Sequence, residues 1–363
     1  MLFALLLAVA VPACSRTGDD PASFVLLPPG FSIAPYAAVP GARSMALGAR
    51  GTVFVGTRGS SVYAITDADG DHRAETVRTI ASGLNMPNGV AFQNGALYVA
   101  EVSRIWRYDD IENHLDTPPA PAILRDDLPS DRHHGWKYIA FGPDGMLYVP
   151  VGAPCNVCDR PDDPRYASIL RMRPDGSDLQ LFASGIRNTV GFTWHPETRE
   201  LWFTNNGRDR MGDDLPPETL NRAPTPGLHF GFPYCHAGTV PDPEFGDQRP
   251  CTDFTPPALT MPAHVAPLGV LFYTGTMFPP QYKNRVLIAE HGSWNRSTKV
   301  GYRLTMATPT DTGAINYRPF ATGWLDGNTV HGRPVALLQL PDGSLLLSDD
   351  HSGTITRITY SAP

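Results

Sequence analysis

Short runs in which apolar and polar positions alternate, each closed by a tight turn, recur along the chain. The recurring phrase is an apolar strand, a turn rich in Gly or Asp, a second apolar strand, a polar cluster and a third strand. It reads SMALGARGTVFVGTRGSSVYAIT at 44–66, GVAFQNGALYVAEVSRIWRY at 89–108 and YIAFGPDGMLYVPVGAP at 138–154. It returns as GFTWHPETRELWFTNNGRD at 191–209, GVLFYTGTMFPPQYKNRVLIAEHGS at 269–293 and VALLQLPDGSLLLSDDHSGTITRITY at 335–360. Period-two alternation bounded by such turns predicts strands, not helices. Six copies, each a small antiparallel sheet, predict an all-β fold: a six-bladed β-propeller of four-stranded antiparallel blades. A β-sandwich also alternates short strands but does not predict a repeated phrase. Six blades use the chain from residue 24, so 24–363 is expected to be a single propeller domain behind a 1–23 leader and linker.

In a meander blade the first two strands run antiparallel, so the start of the first and the end of the second share one face. First-strand starts carry Asn88, His133, His134, Arg187, Asn188, Pro267 and Arg333. Second-strand ends carry Arg58, Glu101, Asn205, Asn206, Gly207, Glu290, His291, Asp349 and Asp350. The opposite face receives turns such as Gly-Pro-Asp-Gly. Guanidinium, imidazole, amide and carboxylate groups therefore crowd one mouth, which points to a ligand site there.

Composition narrows the classes. With 42% hydrophobic and 18% charged residues the chain can bury a large core, and 34 Gly with 37 Pro suit many turns. A net charge of −7 with scattered Lys and Arg excludes a nucleic-acid partner. The start, MLFALLLAVAVPACSRTGDD, has an apolar run too short to span a bilayer and long enough for a signal-peptide core. Its Val-Pro-Ala-Cys ending resembles a bacterial lipobox, so Cys14 is expected to be lipidated after export. That anchor would be the chain's sole tie to a membrane, leaving it periplasmic or attached to the cell envelope. In an oxidising compartment Cys155 with Cys158, and Cys235 with Cys251, read as two local disulfides and not as a zinc site.

His134 is the leading general base, because imidazole titrates near neutrality and can take a hydroxyl proton. The adjacent His133 leaves open which ring acts. Arg187-Asn188 offers a bidentate guanidinium beside an amide, suited to an anionic cofactor or substrate. In TNNGRDRMGDDLPPETLN (204–221), amides, carboxylates and Gly207 suit a hard cation. The stretch DADGDHRAE (67–75) alternates Asp67, Asp69 and Asp71 but fails the calcium-loop pattern. Gly70 falls at the fourth position and Arg78 at the twelfth, so any calcium there would be structural. Lys299, His331 and Arg333 add positive groups on the later blades. No Gly-rich phosphate loop opens a helix, and no Gly-x-Ser-x-Gly elbow is present.

Taken in order, PNGVAF, HHGWKYIAFGPDGMLYVPVGAPCN, SGIRNTVGFTWHP, NNGRD, GDDLP, HFGFPYC, AEHGSWNRSTKVGYR and GRPVAL resemble the soluble pyrroloquinoline quinone (PQQ) dependent glucose and sorbosone dehydrogenases. The sorbosone branch fits better. The resemblance implies PQQ on the upper face of a six-bladed propeller with Ca²⁺ beside it. It implies that His134 is the base and that Arg187 and Asn188 meet the quinone carbonyls. Gly207 and Arg208 would hold calcium through backbone carbonyls, with Asp213 nearby. Lys299, Arg333, His331 and Asn88 would face the cofactor. The implied reaction is oxidation of an aldose, a sorbosone-like aldehyde or a related sugar. His134 would remove a hydroxyl proton and hydride would pass to the quinone, with a quinone or cytochrome as later electron acceptor.

Three positions depart from the family pattern: Trp136-Lys137 after the base, Arg208 where proline is usual, and His331 in place of a second cofactor arginine. Two other readings use the same fold. A calcium-dependent lactonase would need several carboxylates on a central metal, and a non-catalytic glycan- or partner-binding propeller would show aromatic residues, such as Trp136 and Trp294, on its rim.

Overall fold

A computed structural model describes residues 22–362. The expected leader and Cys14 lie outside the described residues. Six small antiparallel sheets stand around a common axis as blades, each ordered from innermost to outermost strand. The first blade runs Ala42–Leu47, Val53–Thr57, Val62–Thr66, Thr76–Ala81, and the second Gly89–Gln93, Ala96–Ala100, Ile105–Tyr108, Ala122–Arg125. The third runs Ala140–Phe141, Leu147–Val151, Ser168–Met172, Gln180–Ser184, and the fourth Phe192–Trp194, Leu201–Asn205, Glu218–Ala223, Leu259–Met261. The fifth runs Pro267–Phe272, Val286–Glu290, Arg303–Pro309, Ala314–Ala321. The sixth takes Pro334–Gln339, Leu345–Asp349 and Thr354–Tyr360, and its outermost strand is the chain's first, Phe31–Ala38.

That last pairing closes the ring. Phe31 to Ala38 pairs antiparallel with Tyr360 to Thr354 across one register shift, so the two ends of the propeller are bonded to each other. The phrases at 44–66, 89–108 and 335–360 supply the inner three strands of a blade; those at 138–154, 191–209 and 269–293 supply the inner two, and the third strand follows after a longer loop. The fourth strands, being partly exposed, carry a weaker pattern.

The core lies between blades. Phe54, Val62 and Ala64 of the first blade pack on Val90, Leu97 and Val99 of the second, and Trp202 and Leu220 of the fourth pack on Val270 and Ile288 of the fifth. At about 25 cal/mol per Å² of apolar surface removed from water, such seams favour radial stacking over separate sheets. Innermost strands have one edge without a ladder partner. Side chains of one blade donate to the inner backbone of the next: Thr204 Oγ1 to the Leu268 carbonyl at 2.6 Å, Ser348 Oγ to Arg43 at 2.6 Å, and Ser44 Oγ to Asn88. Close approach needs glycine, since a Cβ on Gly191 would sit 2.2 Å from the Leu268 carbonyl oxygen.

One excursion departs from the plain meander. Between Glu218–Ala223 and Leu259–Met261 the chain leaves the fourth blade and pairs Leu228–His229 in parallel with Gln180–Ser184 of the third. The Cys235–Cys251 disulfide closes the rest of this loop, and Cys155–Cys158 closes a smaller one beside it. Both pairings are those expected from the spacing.

Candidate active site

A cavity of about 300 Å³ opens at the mouth where first strands start and second strands end. From the expected rim, Arg58, His134, Arg187, Asn188, Asn206, Gly207, His291, Arg333 and Asp350 line it. Five blades contribute to one pocket because propeller geometry points these strand ends inward.

His134 sits with φ 52°, a left-handed conformation that aims the ring into the cavity wall. Its Nδ1 lies 2.8 Å from the Ala153 carbonyl oxygen. A carbonyl can only accept, so Nδ1 carries the proton and Nε2 keeps its lone pair. Burial, then the positive charge of Arg187 and the neighbouring His133, holds the imidazole well below its ordinary pKa. At neutral pH it is an uncharged base. His133 beside it is exposed and does not line the cavity, whereas His134 does.

Arg187 is buried and its donors are spent on the chain: Nε on the Asn156 carbonyl at 2.8 Å, Nη1 on the carbonyls of Gly207 (2.6 Å) and Asn206 (3.3 Å), and Nη2 on Asn156 Oδ1 and Asp209, each at 2.9 Å. It buttresses the Gly207 loop with a positive charge. Beneath that loop the buried Glu218 accepts from the Gly207 amide. Burial pushes the Glu218 carboxyl up to about 7, against that hydrogen bond and Arg187.

Across the cavity, Asp350 gathers Arg43 Nη1 at 2.7 Å, His291 Nε2 at 2.8 Å and Arg58 at 3.6 Å. Burial alone would raise its carboxyl, but His291 and the two guanidinium groups hold it well below the usual carboxylate range. Burial also pushes His291 down to about 4. Arg43 lies 4.5 Å above the Trp136 ring. Arg333 donates Nε and Nη2 to the carbonyls of His291 and Gly292.

Other expected residues lie elsewhere. Asn88 is buried behind the wall, accepting Arg43 Nε at 2.6 Å and donating to the Lys137 carbonyl at 3.1 Å, so it supports Arg43 and does not face the cavity. Lys299 donates to the Asn328 carbonyl at 2.8 Å and does not line the cavity. His331 is exposed and packs on Phe24 with ring centroids 5.1 Å apart. The Arg208 side chain points away from the mouth into Asp242 and Glu244, leaving its backbone as the part near the Gly207 loop. Asp213 is turned outward, accepting the Ser297 amide at 3.0 Å. The 67–75 loop lies on the opposite face, in the turn between the outer two strands of the first blade. The carboxylates of half-buried Asp67 and exposed Asp69, Asp71 and Glu75 lie within 4.8 Å of one another.

Arg43 and His264 line the cavity and escaped the sequence reading, and Asp209 and Glu218 line it too, having been covered only as unnamed carboxylates of the 204–221 stretch. The strand-start rule finds Arg43 once the first strand is begun at Ala42. Glu218 starts a third strand, which begins on the same face as the second ends. His264 and Asp209 sit in loops with no periodic signal.

The residues fit an anionic cofactor. Four arginines, Arg43, Arg58, Arg187 and Arg333, line the cavity against Asp209, Glu218 and Asp350. Asn188 Oδ1 is buried there without a hydrogen-bond partner among the described residues, as expected of a group that a ligand satisfies. The oxygen donors also fit a hard cation. The Gly207 carbonyl, now held by a guanidinium, stands beside the carboxylates of Asp209 and Glu218.

Comparisons with known proteins agree with this architecture. Over 326 residues, 85% of this chain and 83% of the other, it is 35% identical to an uncharacterized protein of Borreliella burgdorferi. A stretch of 119 residues, 27% of this chain and 16% of the other, is 30% identical to a pyrroloquinoline quinone-dependent pyranose dehydrogenase of Coprinopsis cinerea. The holo form of the PQQ domain of pyranose dehydrogenase from that fungus superposes with a TM-score of 0.80 at 19% identity, over 92% of this chain and 97% of that one. PQQ-bound aldose sugar dehydrogenase of Streptomyces coelicolor superposes at 0.65 and 19% identity, over 93% and 100%. These structural likenesses establish the shared fold. The TrAA12-like family model matches residues 27–361, essentially the whole propeller, and the chain belongs to that family.

Proposed function

We propose that this protein is a PQQ-dependent dehydrogenase oxidising an aldose, a sorbosone-like aldehyde or a related sugar, assisted by Ca²⁺. The observation that carries the reading is His134. It is a neutral imidazole with Nδ1 tied to the Ala153 carbonyl, in the wall of a cavity shared with four arginines. When bound, PQQ supplies an ortho-quinone that accepts hydride from a carbinol carbon, and Ca²⁺ supplies Lewis acidity beside it. Arg43, Arg58 and Arg333 would hold the cofactor carboxylates. Asn188 Oδ1 would gain a partner, and the Gly207 carbonyl with Asp209 and Glu218 would hold the metal.

His134 Nε2 takes the substrate hydroxyl proton, and the Ala153 carbonyl stabilises the imidazolium through Nδ1–H. Arg187 presents positive charge where negative charge develops, fixed in advance by Asn156 and Asp209. A location outside the cytoplasm, with Cys14 as a lipid anchor, belongs to the same proposal and rests on the leader pattern. So does an electron acceptor of the quinone or cytochrome class.

The test is reconstitution of the purified protein with PQQ and Ca²⁺, followed by quinone absorbance and by dye reduction with aldoses. Absence of quinone binding ends the proposal. His134→Ala should keep the quinone absorbance and lose about 10²- to 10⁴-fold in turnover, the usual worth of a positioned base.

A further inference from the structure

A second cleft, of about 230 Å³, lies on the same face as the active-site cavity, further out on the third blade. Its walls are the two disulfide-closed loops, one through Cys158 and the other through Tyr234 and Arg249. Ala153 belongs to both sites: its carbonyl holds His134, and the residue itself lines the cleft. A small pocket of about 10 Å³ between them shares Arg187 and Gly207 with the cavity wall and Gly185 and Phe232 with the cleft wall, so one thin layer of residues separates the two sites on this face.

The chemistry of the cleft is mixed and only partly committed to internal contacts. Asp159 accepts the Tyr234 hydroxyl on Oδ2 at 2.7 Å, which leaves Oδ1 as an acceptor. The carboxylate paired with Arg249, that of Asp253, is 3.7 Å away, too far for a hydrogen bond, while the guanidinium lies 4.5 Å from the Phe254 ring centroid. His229 Nδ1 accepts the Gly231 amide at 3.0 Å, which places the proton on Nε2. Burial and Arg249 push this ring down to about 4, so it is a neutral donor. Arg160 is neutralised by a two-point contact with Asp162. Acceptor and donors thus sit in near charge balance between Tyr166, Phe232 and Tyr234. A polyanion gains little there. A neutral ring with hydroxyls on its edge and C–H groups on its faces satisfies both the polar and the aromatic groups.

We infer that this cleft is a distal subsite for a neutral pyranose unit of an oligosaccharide whose terminal sugar lies in the His134 cavity. The inference rests on the sugar-oxidising reading only for the occupant of the cavity.

The test is calorimetry on the PQQ-free protein, with cellotetraose, xylotetraose and maltotetraose each compared with glucose or xylose. At least one tetraose should bind at least about tenfold tighter than its monosaccharide, the worth of one hydrogen bond to a charged group. Asp159→Ala and Arg249→Ala should each erase most of that gain with Tm and monosaccharide affinity unchanged. Tyr234→Phe, which keeps the ring but removes the hydroxyl that holds the Asp159 carboxylate in place, should retain the fold and reduce the gain in case either alanine variant fails to fold. Equal affinity for all chain lengths overturns the subsite, as does a length dependence that survives these substitutions. Length-dependent binding without turnover by the PQQ-loaded protein supports the cleft and sinks the dehydrogenase reading. Turnover without length dependence does the reverse.

Discussion

Gly152 follows the second strand of the third blade and packs against His134, the proposed base. A Cβ there would lie 2.4 Å from His134 Cβ and 2.9 Å from the His134 carbonyl oxygen. Neither neighbour is the loose end of a flexible side chain. Restoring an ordinary carbon separation of about 3.5 Å requires the histidine to retreat by about 1 Å. Gly152 does not have a positive φ, so alanine can adopt its backbone and the effect falls on the contact. A displacement of that size at a reacting group costs about 10²-fold in rate, or roughly 2.7 kcal/mol of barrier. Gly152→Ala should therefore lower kcat with PQQ and an aldose by about two orders of magnitude. Quinone absorbance should persist, because Arg43 and Arg333 stand on other blades. Overpacking should also cost about 1–3 kcal/mol of stability, read from urea unfolding. A folded Gly152→Ala protein with wild-type kcat refutes the reasoning that clearance at Gly152 sets the position of the base.

Three further outcomes follow from the same structure. Removing the Cys235–Cys251 bridge, which closes a loop across 16 positions, should cost about 3 kcal/mol by denaturant unfolding. It should also weaken metal affinity, since Asp242 in that loop grips Arg208 beside Gly207; unchanged calcium affinity would refute this link. Burial holds His291 neutral down to about 4, while an unfolded histidine titrates near 6.5, so the unfolded chain binds more protons between those values. This stability is whole above pH 6.5 and fades toward pH 4, by at most about 3 kcal/mol for His291; equal urea midpoints at pH 7.5 and 4.5 would contradict it. Lys137 is buried with a 3.4 Å hydrogen bond to the Gly135 carbonyl, and burial pushes it down to about 8. Lys137→Met should raise the urea midpoint at pH 7 and remove the gain in stability that the parent shows between pH 8 and 10.5; a lower midpoint at pH 7 would show that the charge is needed.

The blades were legible because an inner strand is buried on both faces while its turns are not, and the phrase repeats that contrast. The mouth was legible for a related reason: strand direction fixes the face on which each end emerges, so His134, Arg187, Asn188, Gly207 and Arg333 could be placed together from their positions alone. Side-chain direction was not legible. Asn88, Lys299, His331 and Asp213 stand in the right neighbourhood by sequence, yet each side chain is drawn off by a partner distant in the chain or by packing. The Arg208 guanidinium is likewise claimed by Asp242 and Glu244 from an excursion of the same blade, which leaves the expectation for its backbone carbonyl untouched.

The sequence by itself determined the number of blades, the inner two strands of each, the two disulfide pairs and the face on which polar strand ends gather, because alternation, turn residues and cysteine spacing are local. Only the tertiary structure decided that Phe31–Ala38 closes the sixth blade, that Arg43, His291 and Asp350 form one cluster, and that Gly152 leaves room for His134. These contacts join residues far apart along the chain, and their distances follow from the closure of the ring, which no window of sequence contains.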